Sequence, residues 1–474
     1  MSPISRPVCV IIGILVGLSI AHPTWGLTLE EFIDQVKEKN KAVQVSLKTI
    51  NALTLKISEK DGPTTPRFST SYSFLSDKKI GTFSSFLGTD STLQTADAMV
   101  QTQLDSGLTL SGGYTLNSTE YPNSTLGGST KAFSTATPYV GVTMPLWRNS
   151  GGDITKAAKS GTEESYLAAI KLNEFAIDAG LSQAEATYWR VALAREAVEL
   201  ATESVIRAKK MVNWAQSRHQ LALGDDADLL QVQTLYEHRQ LELKMAQQEL
   251  ETAERAFNAL RNADPNATVG PLKSVSDVQI SKFKWPKNGE RKDVESAYHT
   301  LKATQAKTKV DIQNLEPALD LIGQLKLNQY APDIVGAIQR TTATDYPTAY
   351  VGITFSGALD INNATLDNIR KGNRELIEVA ELTYEQKKTD AANQWVDLSQ
   401  RFLHAQKRLE LVQRVENLQK QKWQSESNLH QKGRSTLLQV LNAEEDYANT
   451  RLAHLRMKGD LLGLYAQRKL FGSN

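Results

Sequence analysis

The chain has 474 residues, a formal net charge of +1 from 54 basic and 53 acidic residues, and a single cysteine, Cys9. The balanced charge excludes the basic footprint of a nucleic-acid-binding protein. Beyond residue 9 the chain can form neither a disulfide nor a cysteine-based metal site.

The N-terminal segment has the features of an export signal. Arg6 supplies positive charge, residues 8–21 form an apolar run too short to span a bilayer, and small residues offer cleavage sites after Ala21 or Gly26. We predict a signal peptide over 1–26; the alternative is a retained anchor helix. No later apolar stretch approaches the ~20 residues of a transmembrane helix. If the exported chain enters a membrane, it must do so as a closed β-barrel.

A short helix is predicted over about 28–60, and alternation with a period of two residues follows it. Residues 67–74 place apolar or threonine side chains on one face and polar side chains on the other. The same alternation returns in 108–116, 140–146 and 319–327. Such strands fit a barrel wall between lipid and a wet lumen, and each alone fits a soluble, half-buried sheet equally well. Several of them behind an export signal favour the barrel.

The first group of strands contains an insertion that its later counterpart lacks. Within it, segments 98–105 and 108–116 are predicted to form a hairpin with a tight turn at Asp105-Ser106-Gly107, between long polar loops over about 76–96 and 117–137. Placed in the wall, the hairpin gives six strands per chain and about eighteen in a trimer. The alternative is an extracellular hairpin above a barrel of about twelve strands.

Two long proline-free runs, 146–264 and 348–474, are rich in strong helix formers. In the first run, β-branched residues and alanines recur every seven residues, the pattern of closely packed helices. The stretch from Gly152 to Gly224 predicts a helix of roughly 100 Å. Gly224 and Gly433 are the expected turn points, where each long helix reverses into a shorter one.

The chain is internally repeated. Tyr139-Val140-Gly141-Val142-Thr143 returns 211 residues later as Tyr350-Val351-Gly352-Ile353-Thr354, and Leu229-Leu230-Gln231-Val232 returns as Leu437-Leu438-Gln439-Val440. We therefore predict two copies of one unit. The domains are a first repeat over 27–262 (strands about 66–147, helical hairpin 152–262), a linker over 263–290, and a second repeat over 291–474 (strands about 317–357, helical hairpin 361–472).

Several motifs resemble those of the TolC-like outer-membrane efflux proteins, and the matches run along the whole mature chain. They are Leu27-Thr28-Leu29-Glu30-Glu31, Met144-Pro145-Leu146-Trp147-Arg148 with Gly151-Gly152, Asp228-Leu229-Leu230-Gln231-Val232-Gln233, and Gly433 through Val440-Leu441-Asn442-Ala443. The resemblance implies an α+β membrane protein. Three copies would form a β-barrel in the outer membrane that continues as a helical coiled-coil barrel across the periplasm.

The resemblance also implies partners and a function. The homotrimer would contact outer-membrane lipid, a periplasmic adaptor (membrane fusion protein), and an inner-membrane pump or ABC transporter. It would be a passive exit duct for efflux or type I secretion. The adaptor-docking tips would be Leu223, Gly224, Asp225, Lys432, Gly433 and Arg434. Gln439 and Asn442, where the family commonly has aspartates, would line the closed aperture together with Leu230; the alternative is plain coiled-coil surface.

Nothing in the sequence indicates an enzyme. The seven histidines form no i, i+3 or i+4 pair, no glycine-rich phosphate loop follows a strand, and no metal site or cofactor is predicted. His219 and His430 are expected to be solvated. Two other functions compete: a periplasmic adaptor, which predicts one helical hairpin and a later β-domain, and an exported coiled-coil scaffold without a pore.

Overall fold

The structure is a computed structural model that describes residues 26–78, 88–124, 131–221, 225–273, 276–280, 282–287, 289–358 and 364–471. The predicted signal peptide lies outside these ranges except for Gly26. The chain separates into two compact units. The sheet unit comprises residues 42–182, 285–401 and those from 467 onward. The tip unit comprises residues up to 41, 183–284 and 402–466.

The sheet unit contains one antiparallel sheet. In chain order its strands are β1 (Arg67–Asp77), β2 (Ser91–Gln103), β3 (Thr109–Glu120), β4 (Ala132–Pro145), β5 (Ala318–Leu327), β6 (Gln329–Ala331) and β7 (Pro347–Ser356). They lie in the order β1-β2-β3-β4-β5-β7, and β6 pairs with the beginning of β4. Within the described ranges, β1 and β7 each pair with a single neighbour, so they form the two edges of the sheet.

The predicted hairpin lies inside this sheet. β2 and β3 are joined at Asp105-Ser106-Gly107, where the Gly107 amide donates to Leu104 O at 2.8 Å and Gly107 has φ +84°. A left-handed glycine after a tight turn is the geometry of a three-residue hairpin loop. The loop boundaries predicted from sequence were wrong: β2 begins at Ser91 and β3 continues to Glu120, because paired backbone lets polar threonine-rich segments extend the strands.

The register confirms the two-faced character predicted for the strands. One face, the apolar sheet face, carries Phe68, Tyr72, Phe74, Val100, Leu110, Val140, Val142, Met144, Leu325, Val351, Ile353 and Phe355, all of them exposed in the single chain. The opposite face, the polar sheet face, carries Ser69, Ser71, Gln101, Ser111, Thr115, Asn117, Thr143, Gln324, Lys326 and Thr348.

The helices are α1 (Leu29–Lys39), α2 (Lys41–Lys56), α3 (Asp153–Gln220), α4 (Asp226–Leu260), α5 (Asp277–Ile280), α6 (Lys292–Asn314), α7 (Ile334–Gln339), α8 (Ala364–Gln431) and α9 (Leu437–Ala466). The long helices α3 and α8 have 68 residues each, and a shorter helix follows each of them. None of the helices in the described ranges combines the length and hydropathy that a membrane-spanning helix requires.

The single helix predicted over about 28–60 is in fact two helices. Asn40 has extended backbone (φ −70°, ψ 119°) and ends α1, and its side-chain amide donates to Leu260 O at 2.8 Å. Thr28 and Glu31 form a capping box at the start of α1. The apolar side of α1 then reaches the aromatic core of the tip unit, where the rings of Phe32 and Phe257 stack with centroids 3.9 Å apart.

The alanine seam of α3 is buried as predicted. Ala194, Ala201, Ala208 and Ala215 are each at most 8% exposed, so neighbouring helices of the tip unit approach α3 closely along this stripe. Between α4 and α6 the predicted linker makes a parallel bridge, Leu27 with Leu272, and contains the short helix α5. The Tyr188 hydroxyl fixes this bridge by donating to Leu27 O at 2.6 Å.

Candidate functional site: the helical tips and the charged junction

The turn between α8 and α9, the second tip, is a glycine-terminated helix end. Gly433 has φ +70°, its amide donates to His430 O at 2.9 Å, and the Arg434 amide donates to Leu429 O at 2.8 Å. These two bonds form the Schellman arrangement, which satisfies carbonyls that a helix end leaves unpaired. Lys432, Gly433 and Arg434 are all exposed, so the turn presents two cations to solvent.

A capping box starts α9 immediately after this turn. The Thr436 amide donates to Gln439 Oε1 at 3.1 Å, and the Gln439 amide donates to Thr436 Oγ1 at 3.3 Å. Ser435 Oγ also donates to Gln439 Oε1 at 3.0 Å. Gln439 therefore has a local structural role that the sequence interpretation did not foresee. Its side chain, like those of Asn442 and Leu230, is exposed.

His430 is packed rather than solvated, contrary to the expectation from sequence. Its Nδ1 donates to Ser435 O at 2.7 Å, and its ring lies 4.4 Å from the ring of Trp214, centroid to centroid. The histidine therefore links the end of α8 to α3. His219, in contrast, is exposed and lies 3.4 Å from Asp226 Oδ1.

The first tip joins α3 to α4. Leu223 and Gly224, two of the predicted docking residues, lie outside the described residues. Asp225 has extended backbone and is the N-cap of α4, and its carbonyl accepts from the Leu229 amide at 3.3 Å. Asp225, Asp226 and Asp228 give this tip a negative charge at a helix N-terminus, where carboxylates are stabilised. The exposed residues of the two tips thus carry opposite charges.

An apolar layer joins the two tips. Ala215 of α3, Val232 of α4 and Leu437 of α9 are buried against one another, with Met211, Trp214 and Leu441 packed around them. Both tips therefore rest on one shared core within the tip unit. A change that moved one of them would disturb the other.

A buried ionic cluster, which we call the charged junction, lies about two to three turns beyond this apolar layer along α4 and α9. It consists of Arg207, Arg239, Glu242 and Glu444. Arg239 Nη2 donates to Glu444 Oε2 at 2.9 Å, Arg239 Nη1 to Glu242 Oε2 at 2.8 Å, and Arg207 Nε to Glu444 Oε1 at 3.3 Å. The side chains of Arg239 and Glu444 are 1% and 0% exposed.

The charged junction ties four helices together. Arg207 is on α3, Arg239 on α4 and Glu444 on α9, and the Arg207 guanidinium lies 5.6 Å from the rings of both Trp423 on α8 and Tyr447 on α9. The sequence did not lead us to predict the charged junction, although the seven-residue repeat places both Arg239 and Glu444 at seam positions. Arg239 falls at the seam position between Val232 and Ala246, and Glu444 falls seven residues after Leu437.

A second cluster, the His454 cluster, fastens α5 to the helices of the tip unit. It comprises Glu196, Asp277, Glu416, Arg451, His454 and Lys458 around a cavity of about 160 Å³. His454 Nδ1 contacts Glu416, and its Nε2 lies 3.3 Å from Asp277 Oδ2. The carboxylates of Asp277 and then Glu416 raise the pKa of His454 to about 9. The histidine contact in turn lowers the pKa of Asp277. His454 is therefore a fixed cation at neutral pH.

Metal binding has no visible basis in the described part of the chain. No three histidine, cysteine, aspartate or glutamate side chains there are grouped closely enough to hold a metal ion.

Comparison of this chain with known proteins identifies its fold. No protein-family model and no curated protein sequence matches the chain. Among solved structures, the outer-membrane channel OprN matches with a TM-score of 0.68 and 15% identity, covering 94% of this chain and 90% of that one. The outer-membrane protein VceC from Vibrio cholerae matches at 0.66 and 13%, covering 93% and 95%. The MtrE outer-membrane channel of Neisseria gonorrhoeae matches at 0.63 and 14%, covering 94% and 89%.

These likenesses, at 13–15% identity, establish the fold over nearly the whole chain. The protein has the mixed helix-and-sheet fold, with long helices, of the outer-membrane channels. The resemblance to TolC-like channels that the sequence motifs carry is thereby confirmed.

Proposed function

We propose that this protein is the outer-membrane exit duct of a tripartite efflux or type I secretion system. In this proposal the signal over 1–26 directs export, and the mature chain consists of two copies of one unit, 27–262 and 291–474, joined by the linker over 263–290. The duct is passive and has no catalytic role. Energy comes from an inner-membrane pump or ABC transporter.

The observation that carries this proposal is the exposure of the apolar sheet face. Val351 is 76% exposed and Phe68 70% exposed, and both belong to a face lined by large apolar side chains from all six main strands. Apolar surface in water costs about 25 cal/mol per Å². Lipid removes that cost, and the polar sheet face then lines a wet lumen. Strands of 10–14 residues are long enough to cross an outer membrane.

Within the described ranges β1 and β7 are unpaired edges of the sheet, which supports closure with further copies of the chain. An unpaired edge strand exposes a row of backbone donors and acceptors that must be paired in lipid. Because the chain contributes six main strands, an even number, β1 and β7 run in opposite directions. The β7 edge of one copy can then pair antiparallel with β1 of the next. Three copies would close a barrel of about eighteen strands.

The tips are the proposed contact with the periplasmic adaptor. Asp225 at the first tip and Lys432 and Arg434 at the second are exposed and differ in charge, and the helix ends that carry them pack on one apolar layer. Leu223 and Gly224 belong to the same proposed surface. Leu230, Gln439 and Asn442 are the proposed aperture residues, since all three are exposed beside the tips.

Cysteine labelling tests the barrel wall. In a Cys9→Ser background, Leu110→Cys lies on the apolar sheet face and Thr109→Cys on the polar sheet face. In intact outer membranes Leu110→Cys should react with a lipid-phase maleimide, and Thr109→Cys only with a water-soluble reagent small enough to enter the lumen. Equal, rapid labelling of both by an impermeant reagent outside the cell would exclude the wall.

A periplasmic adaptor predicts one helical hairpin, whereas the described residues form two, α3 with α4 and α8 with α9. The other rival is an exported scaffold without a pore. A duct predicts that the protein is found in the outer-membrane fraction and that its migration on gels changes on heating, because a closed barrel resists SDS until it is boiled. A soluble periplasmic protein with unchanged migration would favour the scaffold.

A further inference from the structure

The short helix α7 (Ile334–Gln339) lies on the apolar sheet face. It packs against β3, β4 and β6, and Ala337 is buried with Ala136 and Ala331 against Tyr114 and Leu116. Ala136, Tyr114 and Leu116 share their face with Val140 and Leu110. A side chain at Gly336 would place its Cβ 3.1 Å from the Ala331 Cβ, so the helix sits very close to the strands.

Among the described residues, two polar groups on the same face have their hydrogen-bond partners in the segment around α7. The Tyr114 hydroxyl bonds to Thr341 Oγ1 at 2.6 Å, and the buried Gln329 side chain donates to Ala343 O at 2.5 Å. Unpaired, these groups would be costly against hydrocarbon. Buried side chains and hydrogen bonds therefore both fix this segment to the apolar sheet face.

The outward side of α7 is unusual for a surface helix. The helix buries its small residue, Ala337, and exposes its large aliphatic residues: Val335 is 64% exposed, Ile338 45% and Ile334 38%. The helix IVGAIQ contains no charged residue, while Asp333 precedes it and Arg340 follows it. An apolar helix surface flanked by charges is typical of the boundary between hydrocarbon and headgroups.

We propose that α7 is an interfacial helix whose exposed aliphatic residues lie in the hydrocarbon edge of the outer leaflet. This inference rests on the proposed barrel. Ala136, which lies beneath α7, and Val140 are on the same face of β4, with Pro138 between them. The contacted end of β3 and β4 is opposite to the tight turn at Gly107, which places α7 at the outer rim, since barrels keep short turns on the periplasmic side.

A second copy of the chain fits this surface less well than lipid does. β3 and β4 are the third and fourth of the six main strands, so two strands separate α7 from either free edge. At about 4.8 Å per strand, that distance is roughly 10 Å. A neighbouring copy joined at β1 or β7 would not reach the outward side of the helix.

Spin labelling in reconstituted membranes tests the proposal. Single cysteines are introduced in a Cys9→Ser background at Val335 on α7, at Val140 on the apolar sheet face and at Gln101 on the polar sheet face. Collision rates of the label with oxygen, which partitions into lipid, and with a nickel chelate, which stays in water, are measured by power saturation. We expect oxygen to dominate at 335 and 140 and the chelate to dominate at 101.

The controls separate the two proposals. If oxygen dominates at 140 but the chelate dominates at 335, the barrel stands and the inference about α7 is wrong. If the chelate dominates at 140, the proposed barrel itself fails. If the label at 335 is immobilised and neither reagent reaches it, protein covers the helix and lipid is excluded as its partner.

Discussion

Arg239 and Glu444 form an ion pair of 2.9 Å that is almost entirely excluded from solvent. The pair joins α4 to α9 a few turns from the two tips. Arg207 approaches the same carboxylate and Glu242 the same guanidinium. Such a pair adds little net stability over apolar residues of similar shape, whereas loss of one partner leaves a buried charge uncompensated.

We predict that Glu444→Leu destabilises the tip unit more than Arg239→Met. Glu444→Leu removes the carboxylate that both Arg239 and Arg207 contact, whereas Arg239→Met leaves Glu444 paired with Arg207. Each single change should cost up to about 3–5 kcal/mol, and the double variant Arg239→Met/Glu444→Leu should cost clearly less than the sum. Thermal unfolding followed by helical circular dichroism measures this. Additive costs would show that the charges do not interact.

The His454 cluster should make stability fall at alkaline pH. The folded-state pKa of His454, about 9, lies above the ordinary value of 6.5. The stabilisation is therefore complete below about pH 6.5, decreases from there and is gone above about pH 9. His454→Gln should remove this slope, and the matched variant His238→Gln, at an exposed histidine, should keep it. Equal pH profiles for His454→Gln and the natural chain between pH 6.5 and 9 would contradict the assignment.

Gly433 should be required for the second tip to keep its shape. A left-handed conformation costs a residue with a side chain about 1–2 kcal/mol, and a β-branched residue is worse. Gly433→Val should therefore abolish export while the barrel still assembles, whereas Gly433→Asn, which tolerates this conformation, should keep export. Export assays beside heat-shifted gel migration distinguish the two effects. Full export by Gly433→Val would show that the second tip is not part of the docking surface.

The aperture hypothesis can be tested without disturbing the capping box. Gln439→Glu keeps the accepting oxygen that Thr436 uses and adds a charge favoured at a helix N-terminus. Combined with Asn442→Asp, it should increase cation selectivity of single channels in planar bilayers. Thr436→Val, which loses the cap at a cost of about 1 kcal/mol, is the control for tip distortion. Unchanged cation selectivity in the Gln439→Glu/Asn442→Asp variant would show that these residues belong to ordinary helix surface and do not line the aperture.

The strands and long helices were predictable because each obeys one period over many residues. Alternation over 67–74 and 140–146 gave the correct sheet faces, and the seven-residue repeat gave the buried alanines of α3. The break at Asn40 was not predictable, since it depends on a hydrogen bond to Leu260, which is 220 residues away.

The sequence did not predict the short helix α7 or the buried ion pair of Arg239 and Glu444, and each has a physical reason. The six residues of α7 are too few to show a helical period, and their apolar character depends on the strands beneath them. Arg239 and Glu444 occupy seam positions of the seven-residue repeat that are normally apolar, so a charged residue there suggests that the repeat is broken. Only their pairing across two helices makes the positions compatible with burial. Gln439, predicted to line the aperture, also caps its own helix, a role that the residue spacing Thr436-x-x-Gln439 could have revealed.

Disulfide scanning gives the sharpest test of whether three copies close one barrel through β1 and β7. Ser71→Cys on β1 is combined, in a Cys9→Ser background, with a cysteine at each position of 348–354 on β7 in turn. Within one chain these strands are separated by four others, too far for a disulfide, whereas directly opposed antiparallel partners in neighbouring copies lie within reach. We expect covalent trimers at one register of the scan, resolved by non-reducing electrophoresis. Intrachain disulfides alone, or no cross-link at any position, would contradict it.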